Sequence, residues 1–190
     1  MRVLIILDHP RQNSLTHQVA AAFAAGLADG GHTCETLDLH AAGFDPRMTP
    51  DDEPDWNDEN KRYSYVVHTE IARIKRADAL AFVFPIWWWG LPAMTKGYID
   101  RTFARGFAYG GDAKLSLRKI QWLALGAADE ATFAKRGYLD AMKTQLAVGI
   151  ADYCGVPDSR IEMFYASLEG EEAVRTHLER ARAIGQAWPP

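Results

Sequence analysis

The chain reads as an α/β protein: one doubly wound, five-stranded parallel sheet with helices on both faces. Two observations predict this. Short runs that are apolar throughout recur along the chain, as strands buried on both faces require. Between them lie stretches whose apolar residues fall at helical spacing. Its 190 residues, 48% hydrophobic and 24% charged, suit a single domain able to bury a full core.

Val3 to Leu7 forms the first apolar run, and the polar stretch DHPRQNSLT separates it from a helix carrying Val19, Phe23 and Leu27 on one side. Gly30 and Gly31 stop that helix, and TCETLDL follows as a second strand with Cys34, Leu37 and Leu39 as its apolar residues. Residues 43–64 differ in kind. GFDPRMTPDDEPDWNDENKRYS holds three prolines, seven acids and no period, so it reads as a long surface excursion over a site or interface.

Helical spacing resumes with Val67, Ile71 and Ile74 and leads into ALAFVF, the third strand. Pro92 then suits the first turn of a helix bearing Met94, Tyr98, Ile99 and Phe103. Ile120 to Leu125 is the fourth strand, followed by one helix through Leu139, Met142, Leu146 and Ile150 that ends at Gly155 and Pro157. IEMFYA is the fifth strand, and Val174, Leu178 and Ile184 mark the last helix. Five such units with a polar loop after the first strand predict the flavodoxin-like order 2-1-3-4-5. A ligand then sits beyond the carboxyl ends of the strands, at the switch point between strands one and three.

Bulk properties exclude several functions. A net charge of −4 with a pI near 5.8 offers no basic field for nucleic acid. The first residues lack the apolar length of a signal peptide, and the run from Ala79 to Met94 is too short and too broken to span a bilayer. A cytoplasmic location without membrane insertion is the expectation. Cys34 and Cys154 are isolated, support neither a disulfide framework nor a metal site, and read as small buried hydrophobes.

Three loops converge on the expected site. DHPRQNSLT precedes a helix N-terminus, where free N–H groups and the macrodipole favour an anion such as phosphate, with His9, Asn13, Ser14 and Thr16 as further donors. The plainer alternative is that Asn13, Ser14 or Thr16 caps the helix and His9 is a surface residue. FPIWWWGLP, after strand three, sets backbone amides and flat indoles where a planar ring would lie; an apolar strand end or a Trp-rich subunit interface is the alternative. LGAADEATF, after strand four, carries small residues that let backbone approach a ring edge. A phosphate site beside an aromatic platform suits a flavin nucleotide.

FPIWWWGLPAMTKGYIDRTFARGFAYG, residues 84–110, resembles the F-P-L-x-W-x-x-x-P-A-x-L-K-G-W-x-D-R-V-x-x-x-G-F-A-Y of the NAD(P)H:quinone oxidoreductases, a DT-diaphorase-like family that includes bacterial potassium-efflux ancillary reductases. HPRQNSLT is similar to that family's His-then-Ser phosphate loop, and DLHAAGFDP to its D-L-Y-x-x-x-F-x-P. The resemblance implies that His9, Asn13, Ser14, Leu15 and Thr16 hold the flavin phosphate and ribityl chain. It implies that Pro85, Ile86, Trp87, Trp88 and Trp89 border the isoalloxazine ring, joined by Gly126 and Ala127 after strand four.

It further implies a homodimer with sites at the subunit seam, Tyr109 closing the partner's site, and two-electron hydride transfer from NAD(P)H through flavin N5 to a quinone or similar acceptor. FDPRM is similar to the FAD-binding branch, favouring FAD over FMN. The chain departs from the family where relatives carry T-T-G-G, having Ala124, Leu125, Gly126 and Ala127 instead. Thr132 or Phe133 stands where relatives carry a Tyr, and Arg136 where they carry a His, so Arg136 becomes the candidate fixed positive charge. If 87–89 is extended its side chains alternate, with Trp87 and Trp89 toward the ring and Trp88 away; either parity fits. Two other readings stay open: a flavin-binding regulatory subunit of a membrane transporter, and a one-electron flavodoxin-type carrier.

Overall fold

Strands β1 (Arg2–Leu7), β2 (Thr33–Asp38), β3 (Ala79–Pro85), β4 (Lys119–Leu125) and β5 (Ser159–Phe164) pair in parallel in the order β2-β1-β3-β4-β5. The computed structural model describes residues 1–58 and 61–189. Alternation along each strand divides the core between two faces. Val3, Ile5 and Leu7 of β1, with Ala79, Ala81 and Val83 of β3, face helices α1 (Leu15–Asp29) and α6 (Gly170–Gln186). Leu4, Ile6, Leu80, Phe82 and Phe84 face the other way, toward α2 (Tyr65–Lys75) and α3 (Ala93–Thr102).

Each face is packed closely. On the first, a Cβ built on Gly26 would lie 2.0 Å from the Arg182 carbonyl oxygen, and one on Gly185 would lie 2.4 Å from that of Phe23. Only glycines allow α1 and α6 this approach. On the second, Trp122 of β4 stacks on Phe82 at 4.6 Å and donates its indole N–H to Ser159 Oγ at 2.9 Å. The largest buried ring therefore has its polar atom satisfied.

The helix expected over Leu139 to Ile150 is not one α-helix. After α4 (Glu130–Arg136) and α5 (Tyr138–Lys143), residues Thr144–Asp152 wind as a π-helix. Met142 and Leu146 are buried as the spacing predicts, but the wider i→i+5 winding puts Ala151 in the core in place of Ile150, which is half-buried. Cys34 is a second correction: it is exposed, because β2 is an edge strand on which only Leu37 is fully buried. Cys154 is buried, and burial pushes its thiol up to about 11.

The excursion at 43–64, of which residues 59 and 60 lie outside the described residues, is strapped to α3. Asp52 is fully buried and accepts from Arg101 Nη2 at 2.7 Å and from Ser64 N at 2.8 Å. Pro46 lies on Gly97, where a Cβ would come within 2.1 Å of the Pro46 carbonyl oxygen. No helix among the described residues is long and apolar enough to cross a membrane.

Candidate functional site

The loops after β1, β3 and β4 meet at the carboxyl edge of the sheet. Asp8 N–H bonds to the Val83 carbonyl at 3.0 Å and Ile86 N–H to that of Leu125 at 2.8 Å, carrying the parallel ladder past the strand ends. The residues that follow are thereby held side by side.

After β1, Ser14 is the N-cap of α1 and accepts from His17 N. No acidic side chain lies in the first turn of α1, so its positive end is not neutralised from within. Ser14 and Thr16 are buried, Leu15 and His9 are half-buried, and Asn13 is exposed. His9 Nδ1 lies 3.0 Å from the Arg11 N–H and 3.2 Å from the Arg11 carbonyl oxygen, so the loop backbone fixes the ring. Burial pushes the His9 pKa below its ordinary value, against a hydrogen bond to the Arg11 backbone that raises it. Fixed through Nδ1, the His9 ring keeps Nε2 for a ligand beside the helix end.

Beneath this loop lies a network that the sequence did not reveal. Asp8 is fully buried; its Oδ2 accepts from Thr95 N at 2.8 Å and Thr95 Oγ1 at 2.7 Å, while Oδ1 lies 3.0 Å from His40 Nε2. Pro92 heads α3 without a capping side chain, so Asp8, 87 residues earlier in the chain than Thr95, caps that helix instead. The only local signal was a carboxylate directly after a wholly apolar strand, which burial obliges to find partners.

After β3, the tryptophans do not continue the strand. Trp87 and Gly90 form an antiparallel bridge, and Trp88 and Trp89 take φ of 51° and 63° in a tight turn between them. Two left-handed residues in succession make the geometry of a type I′ turn, ordinarily built from Asn and Gly. The alternating parity expected for an extended stretch therefore does not apply. Trp87 lies 6.4 Å from the His9 ring, bridging to the first loop. Trp88 is 95% exposed. Trp89 stacks on Tyr138 at 3.7 Å and meets Phe133 edge-on at 5.3 Å.

After β4, Gly126 closes on the same aromatic group, since a Cβ there would sit 3.1 Å from Phe133. A cavity of about 220 Å³ lies between Ile86 and the indole turn on one side and residues 126–128 and Phe133 on the other. Pro85 ends β3 just below it. Phe133 is thus an aromatic wall here, backed with Trp89 by Tyr138, which escaped the sequence reading because α5 begins only after the left-handed turn at Gly137. Arg136 is exposed at the end of α4 and is not among the residues lining this cavity. Tyr109 lies elsewhere, between Trp56 at 6.5 Å and Tyr153 at 5.9 Å. A larger cavity, about 490 Å³, opens beside Lys75 and Leu117, which precede β3 and β4 and so mark the opposite edge of the sheet.

The residues fit a flavin nucleotide. A helix N-terminus without acids suits its phosphate, and an apolar cleft walled by rings and small residues suits an isoalloxazine edge. They hold no P-loop or dinucleotide-fold glycine pattern that would point to another ligand.

A family model described as the flavodoxin-like fold matches residues 1–185. YcaK, an uncharacterized NAD(P)H oxidoreductase of Escherichia coli (strain K12), is 37% identical over 173 residues, 90% of this chain and 88% of that protein. NAD(P)H dehydrogenase (quinone) 1 of Rattus norvegicus is 28% identical over 123 residues, 57% of this chain but only 45% of that longer protein. The solved NAD(P)H:quinone oxidoreductase from Methanothermobacter marburgensis superposes with a TM-score of 0.92 at 30% identity, covering 98% of this chain and 94% of that one. The chain belongs to the flavodoxin-like family, among relatives that carry the names of NAD(P)H oxidoreductases and quinone dehydrogenases.

Proposed function

We propose that the chain is a flavin-dependent NAD(P)H:quinone oxidoreductase in which NAD(P)H and a quinone-like acceptor use one site in turn. The observation that carries this reading is the juxtaposition, at the switch point of the sheet, of the acid-free α1 N-terminus with the cavity between the indole turn and Phe133. When bound, a flavin would supply the two-electron hydride chemistry. The protein supplies the rest. The α1 amides and His9 would hold the phosphate, while amides of residues 86–89 and 126–127 border the ring.

Trp88 and the stacked pair of Trp89 and Tyr138 would present flat apolar faces against which a nicotinamide and then a quinone can lie, excluding water from the transfer. Both substrates needing one face requires the first product to leave before the second binds. Arg136, three residues beyond Phe133, is proposed as the fixed charge that offsets the electrons delivered. Arg136→Ala is expected to slow both half-reactions, and unchanged rates remove it from the mechanism.

FAD is favoured over FMN because a cavity of about 390 Å³ lies under the FDPRM segment, lined by Leu37, Phe44, Asp45 and Arg101, giving room for an adenosine. The exposed aromatic surface formed by Trp56 and Tyr153 around Tyr109 supports a homodimer seam, with Tyr109 completing the partner's site. Purified protein should be yellow, release its flavin into acid for chromatographic identification, and bleach anaerobically with NADH or NADPH before a quinone restores the colour. Protein that takes up neither FMN nor FAD overturns the reading. Pull-down from membranes tests the transporter-subunit alternative.

A further inference from the structure

At the head of α1 a hydrogen-bonded chain runs to the end of β2, and the reaction above leaves it unused. Ser14 Oγ lies 2.9 Å from His17 Nδ1, and His17 Nε2 lies 3.0 Å from Asp38 Oδ2. Burial pushes the Asp38 carboxyl upward, but hydrogen bonds from Ala41 N–H, His17 and His40 N–H together hold it below the usual carboxylate range. Asp38 is therefore ionised and can only accept.

Proton positions follow. His17 Nε2 faces a pure acceptor, so it carries a hydrogen. In a neutral imidazole the other nitrogen is then bare, so the Ser14 hydroxyl must donate to Nδ1. Serine has one hydroxyl proton, and the same oxygen already accepts the His17 N–H as the helix cap. In this state the Ser14 side chain, 5% exposed at the head of α1, offers no donor to an anion there. Protonating Nδ1 reverses the bond: the ring donates to Ser14 Oγ, and the hydroxyl proton becomes available.

We propose that His17 is a positioning residue that takes up one proton when a flavin nucleotide binds, turning the Ser14 hydroxyl into a donor to the phosphoryl group. This rests on the flavin reading above. The groups around His17 agree with it. Asp38, from β2, favours the imidazolium. The exposed Arg11 stands on the loop and opposes a further positive charge, while the His9 ring lies edge-on at 6.4 Å. Asp8, directly after β1, is committed to Thr95 and His40. An arriving phosphate counters the charge of Arg11 and of a protonated His17, so its binding and the proton reinforce each other.

The test uses the full chain with its flavin released, titrated with FMN and with riboflavin, which lacks the phosphate, from about pH 6 to about pH 8. Fluorescence quenching gives affinity, and calorimetry in two buffers of different ionisation enthalpy gives proton uptake. FMN affinity should fall as pH rises, by up to about tenfold per unit for one proton. The second proton of the phosphate, with pKa about 6, contributes equally to every protein compared.

His17→Gln should remove the remaining slope and the proton uptake while leaving riboflavin affinity unchanged, which also reports an intact ring site. Asp38→Asn, keeping His17 but losing the carboxylate that favours its charge, should move the proton uptake to lower pH. An FMN slope identical in the unaltered protein and His17→Gln, or an unmoved midpoint in Asp38→Asn, overturns the proposal alone. A chain that binds neither flavin at any pH overturns the proposed function with it.

Discussion

The two halves of the carboxyl edge are held in place by opposite means. At the end of β1 the loop is wired by hydrogen bonds: Ser14 caps α1, His17 reaches Asp38, and the buried Asp8 ties β1 to α3 and His40. At the ends of β3 and β4 the groups in contact are rings, and the backbone carries two tryptophans in the left-handed region. Charged and polar groups in fixed directions suit recognition of an anion, whereas stacked rings can receive flat molecules in succession. A strained turn persists only where surrounding contacts determine it, so the indole ledge depends on packing as the first loop depends on donors and acceptors.

Breaking the wiring at its buried end should have the largest effect. Asp8→Ala leaves the Thr95 N–H and hydroxyl without their acceptor and α3 without its cap, and should cost about 3 kcal/mol in urea unfolding. Trp89→Ala removes the stack on Tyr138 and the contact with Phe133; about 2 kcal/mol and a wider cavity are expected. Ser14→Ala deletes the α1 cap and should cost about 1 kcal/mol, with weaker phosphate binding and ring binding intact.

Trp88→Gly sharpens the contrast, because Trp88 is almost wholly exposed and its positive φ costs glycine nothing. The variant should gain about 0.5 kcal/mol in stability yet bind quinone or nicotinamide less well, and a loss of stability would show that the turn is not strained. The smallest effect concerns acid. The folded-state pKa of Asp38 is depressed, so its contribution to stability is present above the unfolded value, about 3.9, and is lost as pH falls through the folded value. Asp38→Asn should therefore flatten the acid limb of a stability curve measured below about pH 4.

Legibility followed range. The order of strands could be read because each strand is a continuous apolar run and the helices between them repeat with their own period. The core positions on α1 and α2 followed from the same period, and Val19, Phe23, Leu27, Val67, Ile71 and Ile74 are all buried. The π-helical winding of Thr144–Asp152 changed which residues face inward and had no local signal in the apolar spacing. The loops that meet at the carboxyl edge could also be located, since the topology demands it. What occupies them could be read only in part. The tryptophans were visible as a triplet, but not the turn that sends Trp87 toward His9 and Trp89 onto Tyr138.

Composition and periodicity, acting between neighbours, determined that this chain folds as a doubly wound parallel sheet with three loops gathered at one edge. Tertiary structure alone decided that Asp8 caps a helix 87 residues away, that His17 stands between Ser14 and Asp38, and that Phe133 walls the cavity while Tyr138 stacks on Trp89. The reason is physical: burial preferences are local and periodic, whereas a buried polar group or an aromatic face is satisfied by whichever distant partner the completed fold brings to it.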